Sequence, residues 1–300
     1  MRQQKAFALP LVLVILATLT VMSITLSRMA KGIVGLAHQQ QQEWRDELLI
    51  NDAFQQLLVL LMTANKTPGT IETSRVSIPA DGRWVPFAGL QISVQDANGL
   101  FLVQPSIAMW QSLLQAYMPE RDATLVTARI VDWLDADGIA SSGGMERAEY
   151  LAVGLSVMPR NGKLRTLDEL LNIPGITPQL FNKGKDGVPA LRDILFLNNT
   201  RMGFNPATAP ILVLKAKMRM GDNEVRDVIR YREQKNWDQL AMILGSDRLG
   251  EEIQLQMGLE FAILMRTESG RQARIGVRVT ASHLKPYEIL YWYYPDYERL

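Results

Sequence analysis

The stretch "VDWLDADGIASSGGMERAEY" at residues 131–150 gathers Asp132, Asp135, Asp137, Glu146 and Glu149 around a loop rich in Gly and Ser. Hard divalent cations such as calcium take about six to eight oxygen ligands, and a flexible acidic loop can wrap one. An EF-hand register does not fit, because Gly138 at the sixth loop position puts Trp133 first and Gly144 last, where ligands belong. A solvated turn whose aspartates cap the flanking helices accounts for the same residues. Paired carboxylates also serve glycosidases, but that chemistry needs an acid and a base across a substrate cleft, and proximity within one loop supplies neither.

Other chemistry has little material. Cysteine is absent, His38 and His283 are the only histidines, and no glycine-rich phosphate loop occurs. Disulfide frameworks, cysteine redox sites and the usual metal-hydrolase and nucleotide-binding constellations therefore drop out. A net charge of +1 gives no global attraction for nucleic acid. An enzyme is the weaker class.

The acidic loop lies in a helical block from Gln104 to about Gly258, punctuated by Pro and Gly. Within the block "LDELLNIPG" at 167–175 is echoed by "WDQLAMILG" at 237–245, which predicts two related helical hairpins. "LNIPGITPQLF" resembles a helix-hairpin-helix turn, used either for packing or for binding DNA. Thr177 stands where a DNA-binding version commonly has a second glycine. Strand-like runs flank the block, "IETSRVSIP" and "LQISVQD" before it and "LEFAILMR", "ARIGVRVTAS" and "YEILYWYY" after it. A long helix from about Phe7 to Ala64 precedes everything, and Thr67-Pro68-Gly69 ends it. This order predicts an α+β fold with a helical insertion.

The first part of that helix raises a separate question. Phe7 to Leu26 carries no charge and is long enough to span the roughly 30 Å hydrocarbon core of a bilayer. Arg28-Met29-Ala30 is a poor signal-peptidase site, and Pro10 is best tolerated in a first helical turn. The short basic leader "MRQQKA" before Phe7 resembles the class III leader of type IV pilins and pseudopilins. That resemblance implies cleavage between Ala6 and Phe7 by a prepilin peptidase and N-methylation of Phe7; an uncleaved signal anchor is the plain alternative.

Several separated pieces then agree. The leader, "DANGLFLVQP" at 96–105, "DWLDAD" with its Gly- and Glu-containing turn, "LRTLDELLNIPGI" and "GFNPATAPILVLKA" occur in the order seen in the general secretion pathway protein K family, the large minor pseudopilin of type II secretion. Departures are Leu-Val-Gln after Phe101, where asparagines are common, and Met145-Glu146-Arg147 in place of a more usual Ala-Glu-Asp.

The resemblance implies a pilin-like long N-terminal helix packed on an antiparallel sheet, with a large all-α insertion of helix-hairpin-helix (SAM-like) type. The expected segments are a leader at 1–6, the start of the transmembrane helix at 7–30, pilin-like helix and first strands at 31–104, the inserted α-domain at 105–257 and closing strands at 258–300. It further implies calcium held by Asp132, Asp135, Asp137 and Glu146, and a single-pass inner-membrane anchor with the bulk in the periplasm. The implied partners are minor pseudopilins I and J, the major pseudopilin and the prepilin peptidase, with no nucleic acid.

Leu11 would be the fifth mature residue, where most pilins carry a glutamate that offsets the amine of a neighbouring subunit. A subunit at the tip has no such neighbour, so leucine fits a cap. The alternatives are a minor tip pilin of a type IV pilus, a membrane-anchored helix-hairpin-helix DNA-binding protein and a membrane-bound hydrolase.

Overall fold

The structure, a computed structural model, describes residues 8–184, 187–197, 203–245, 253–280, 282 and 284–296. The leader residues Ala6 and Phe7 lie outside these. The chain divides into two compact units, residues 1–52 and 53–300, which are described separately. The helix α1 (Ala8–Thr63) runs through the end of the first into the second.

In the first unit α1 exposes an apolar surface that includes Leu11, Val14, Leu19 and Ile24. The hydroxyls of Thr18, Thr20 and Thr25 donate back to the carbonyls of Ile15, Leu16 and Met22. These three hydroxyls thus have their partners inside the helix, as an apolar solvent demands. The helix is long and apolar enough to cross a membrane and fits a membrane anchor.

The second unit begins with the last turns of α1, where Ala53, Phe54, Leu57, Leu58 and Leu61 are buried at helical spacing. Short strands follow: β1 (Asn65–Lys66), β2 (Thr70–Glu72) and β3 (Ser77–Pro79) form a small antiparallel sheet. The strands β4 (Asp81–Phe87) and β5 (Leu90–Asp96) form a hairpin. The chain then leaves the sheet through a 3₁₀ turn (Ala97–Gly99) and β6 (Phe101–Leu102).

The helical block comprises α2 (Ile107–Leu114), α3 (Glu120–Leu134), α4 (Arg147–Ala152), a 3₁₀ turn (Leu167–Asn172), α5 (Pro178–Asn182) and α6 (Leu191–Ile194). The two-residue strand β7 (Leu195–Phe196) pairs in parallel with β6. Then come α7 (Ile211–Met218), α8 (Asp222–Glu233) and α9 (Trp237–Leu244). The chain returns as β8 (Glu260–Arg266), β9 (Gln272–Val279) and β10 (Tyr287–Tyr293). The main sheet is antiparallel throughout, in the order β10-β9-β8-β5-β4, so β5 pairs directly with β8 across the whole helical block. The fold is α+β and pilin-like, with its helices between two neighbouring strands.

Strand alternation separates the sheet's two faces. Ile92 and Val94, Phe261, Ile263 and Met265, and Ala273, Ile275 and Val277 are fully buried on one face. On that side Phe54 meets Trp292 edge-on at 5.1 Å. The other face is polar yet covered: Arg274 pairs with Asp193 of α6 at 2.5 Å and with Asp296 at 3.5 Å. A second core fills the helical block, built on Trp110, Leu114, Val126, Trp133, Leu170 and Phe181.

Sequence periodicity misses β4, whose Gly82 and Pro86 read as breakers; both are accommodated because β4 is an edge strand. The repeated motif also differs in its two copies. Leu167–Asn172 is 3₁₀, whereas Trp237–Leu244 is a regular α-helix capped by the Asn236 side chain, which accepts from the Gln239 amide at 3.1 Å. Pro174, inside the first copy, comes just after its 3₁₀ turn and forbids extension of that turn.

One buried carboxylate joins the junction segments. Asp96, at the end of β5, accepts from the amides of Asn98 and Gly258, both at 3.1 Å, from the Asn205 side-chain amide at 2.9 Å and from the Thr208 hydroxyl at 3.0 Å. Asn205 also donates to the Pro68 carbonyl at 2.7 Å. Gly99 is required here, since a Cβ would sit 2.5 Å from the Thr208 Oγ1. "DANG" and "NPATAP" are therefore two halves of one lock. Removing the carboxylate takes away an acceptor shared by four buried donors, so Asp96→Ala should destabilise the full chain by about 3 kcal/mol or more in urea denaturation. A loss below about 1 kcal/mol, the scale of one ordinary hydrogen bond, would show that the lock is dispensable.

Candidate metal centre

The acidic loop connects α3 to α4. Helix α3 buries Ala123, Val126, Ile130 and Trp133 along one stripe, which places Asp132 inside the protein, and it ends at Asp135, whose amide bonds the Val131 carbonyl at 2.8 Å. At the far end the Glu149 carboxylate accepts from the Glu146 amide at 2.9 Å and fixes the start of α4. Glu149 serves as a cap, and Glu146 is left facing the loop.

Asp135, Asp137 and Glu146 converge, each offering one oxygen within 4.8 Å of the others. Asp137 also accepts from the Ile139 amide at 2.9 Å. Asp132 is fully buried beside them, and its carboxylate accepts from the Ser141 amide at 3.1 and 3.3 Å. The sequence gathers five acids here, and the family resemblance implies four of them as ligands; the structure draws Asp135, Asp137 and Glu146 into one cluster, turns Asp132 toward the loop backbone and uses Glu149 as a cap.

Two further residues complete the centre. Asn161, in a left-handed turn, donates to the Asp137 carbonyl and to Glu146 Oε2 at 3.3 Å. Gly144 permits the close approach: a Cβ there would lie 1.9 Å from Asp132 Oδ2. Asn161 escaped the sequence reading because no spacing ties it to the loop, although Asn-Gly is a turn signal in its own right.

The electrostatics are those of a cluster built for a counter-ion. Burial, then the charges of Asp137 and Asp132, push the Asp135 carboxyl above its ordinary range. Burial raises Glu146 too; the Asn161 hydrogen bond opposes this, and Asp132, Asp135 and Asp137 add to it. Among the described residues, Asp135 Oδ1, Glu146 Oε1 and Ser141 Oγ are buried without a hydrogen-bond partner. Hard oxygen donors, excess negative charge and unsatisfied buried oxygens fit a divalent cation such as calcium.

Residues 94–193, which contain this centre, match the family model described as type II secretion system (T2SS), protein K. Over that segment the chain is similar to the protein K family. A curated relative, the type II secretion system protein K of Pectobacterium carotovorum subsp. carotovorum, is 28% identical over 138 residues. That match takes in 45% of this chain and 41% of the relative, so the chain spans about two fifths of the relative's length. A solved chain from the crystal structure of the GspK-GspI-GspJ complex of the enterotoxigenic Escherichia coli type 2 secretion system has a TM-score of 0.53 at 17% identity. The likeness covers 87% of this chain and 98% of that one, and it concerns the fold.

The helix-hairpin-helix turn is engaged in packing. Gly175 has φ +106°, and a Cβ there would lie 2.4 Å from Val126 Cγ2 on α3. Arg129 of α3 donates to the Pro174 carbonyl at 2.8 Å.

The raised Glu146 pKa has a signed consequence. In chelator the raised pKa costs stability that builds as the pH rises above the ordinary value of 4.5, is complete above the folded-state pKa and is absent below 4.5. Glu146→Gln removes that cost. The variant should therefore melt higher than the parent at neutral pH in chelator, with the gap closing on acidification. A variant that melts lower under those conditions contradicts the excess-charge account.

Proposed function

We propose that the chain is the K-type minor pseudopilin of a type II secretion system, a structural component rather than a catalyst, which initiates and caps the pseudopilus. The protein K match over residues 94–193, with the acid cluster inside it, carries this reading. The chain is anchored in the inner membrane by α1, with its bulk in the periplasm, after a prepilin peptidase cuts between Ala6 and Phe7 and the new N-terminus at Phe7 is methylated. It assembles with minor pseudopilins I and J above the major pseudopilin. Leu11 on the exposed apolar surface of α1 supports the terminal position, because it supplies no carboxylate for an amine in a subunit above.

Calcium is the proposed ion, held by Asp135, Asp137 and Glu146 with Asp132 as the fourth carboxylate of the set. Its role is to neutralise the cluster and brace α3 against α4. A DNA-binding role is the poorer reading, since Gly175 and Pro174 of the hairpin turn pack on α3.

Three measurements test the proposal. Intact mass of the membrane-extracted chain should lack residues 1–6, and retention of Met1 would refute the cleavage. Co-purification in detergent should recover I and J at low copy number, with labelling confined to filament ends; abundant copies along the shaft would overturn the cap. Calcium at about a hundredfold excess over Kd should stabilise the chain by about 2.7 kcal/mol. Asp135→Ala with Asp137→Ala should abolish that gain, and identical melts of the parent with and without chelator would eliminate the calcium site.

A further inference from the structure

The two edges of the main sheet are built differently. The β4 edge carries a register irregularity between Asp81 and Trp84 and contains Pro86, both of which discourage pairing with another strand. β10, the other edge, has a bulge between Ile289 and Tyr291 but contains no Pro, Lys or Arg, and Glu288 is its single charge. Among the described residues no strand pairs with β10 on the side away from β9. The strand is rich in aromatic residues, and among the described residues no strand covers its outer row of backbone donors and acceptors.

A row of charges runs toward that opening. Glu260 on β8, Arg278 on β9 and Glu288 on β10 lie directly opposite one another in register. Arg278 bonds Glu260 at 2.7 Å and Glu288 at 2.8 Å. The Glu260 side chain is 3% exposed, whereas that of Glu288 is 57% exposed. The alternation acid, base, acid thus stops on the edge at a carboxylate, and the next strand in the row is complementary if it brings a base.

We propose that β10 accepts an additional β-strand from a partner protein, and that this strand places a Lys or Arg beside Glu288. A second copy of this chain does not meet the requirement, because β10 offers no cation to a β10 paired against it. The occupant proposed is a different protein with a basic residue in an exposed extended segment. Main-chain hydrogen bonds supply the adhesion, and the Glu288 row sets the register. The inference rests on the proposed assembly with minor pseudopilins, which are the partners that would donate the strand.

The test uses the full chain in detergent with purified minor pseudopilins I and J. Hydrogen exchange should show the amides of residues 287–293 slowing by about tenfold or more in the complex, while β4 amides do not change. Glu288→Arg should weaken the complex by about tenfold or more, since like charges then face each other. Glu288→Gln should weaken it less, and an Arg83→Glu control on the opposite edge should leave it intact. A Lys→Glu or Arg→Glu change in the donor strand should restore binding to the Glu288→Arg variant. A stable complex without β10 protection, or one indifferent to the charge at position 288, overturns the edge proposal and leaves the assembly standing. Failure to form any complex with I and J overturns the assembly reading itself. Because Glu288 is more than half exposed, Glu288→Gln should melt as the parent does, and it remains informative if Glu288→Arg, which faces Arg278 across the strands, disturbs the sheet.

Discussion

Asp96 is the constraint on which the second unit depends. Its carboxylate is fully buried, and burial pushes its pKa upward while four hydrogen-bond donors pull the other way. An unpaired buried charge would cost several kcal/mol. The donors that relieve it come from the chain's exit at Asn98, from Asn205 and Thr208 late in the helical block, and from Gly258 just before the sheet resumes. Loop-closure entropy grows only slowly with length, about 0.6 kcal/mol for each doubling. Once both ends are pinned, a large helical excursion between β5 and β8 is therefore thermodynamically ordinary.

The pinning explains how two cores coexist. Alternating apolar residues of β5, β8 and β9 fill one side of the sheet, while the polar other side meets the block through Arg274 and Asp193. Arg274 is itself buried, and its ion pairs with Asp193 and Asp296 make that contact specific in orientation. A buried ion pair of this kind adds little net stability compared with apolar packing, but breaking it leaves a stranded charge.

Much of this was legible in residue patterns. The long apolar start of α1, the alternation of "LQISVQD" and "LEFAILMR" and the punctuated helices all follow from period and breakers, which are local properties. β4 was not legible, because an edge strand tolerates the Gly and Pro that elsewhere end a strand. The lock at Asp96 was visible only as two motifs, "DANG" and "NPATAP", whose complementarity is three-dimensional. At the acidic loop, composition identified the carboxylates, yet only geometry separates Glu149, spent on capping α4, from Glu146, left inside the cluster.

That separation bears on why the loop is so acidic. A solvated turn needs no buried carboxylate, and capping would use oxygens on amides, as Glu149 does. Here Asp135 and Glu146 keep buried oxygens without partners, and Asp132 reaches the loop backbone only because Gly144 has no side chain to obstruct it. Each feature raises the cost of the ion-free fold, and a cation with oxygen preference lowers that cost for all of them at once. The α3–α4 junction gathers acidic oxygens that the chain's own donors do not satisfy, whereas the Asp96 lock is satisfied entirely by such donors. The block is thus held at its base by the chain's own bonds, while its acidic loop keeps buried carboxylate oxygens that those bonds leave unsatisfied.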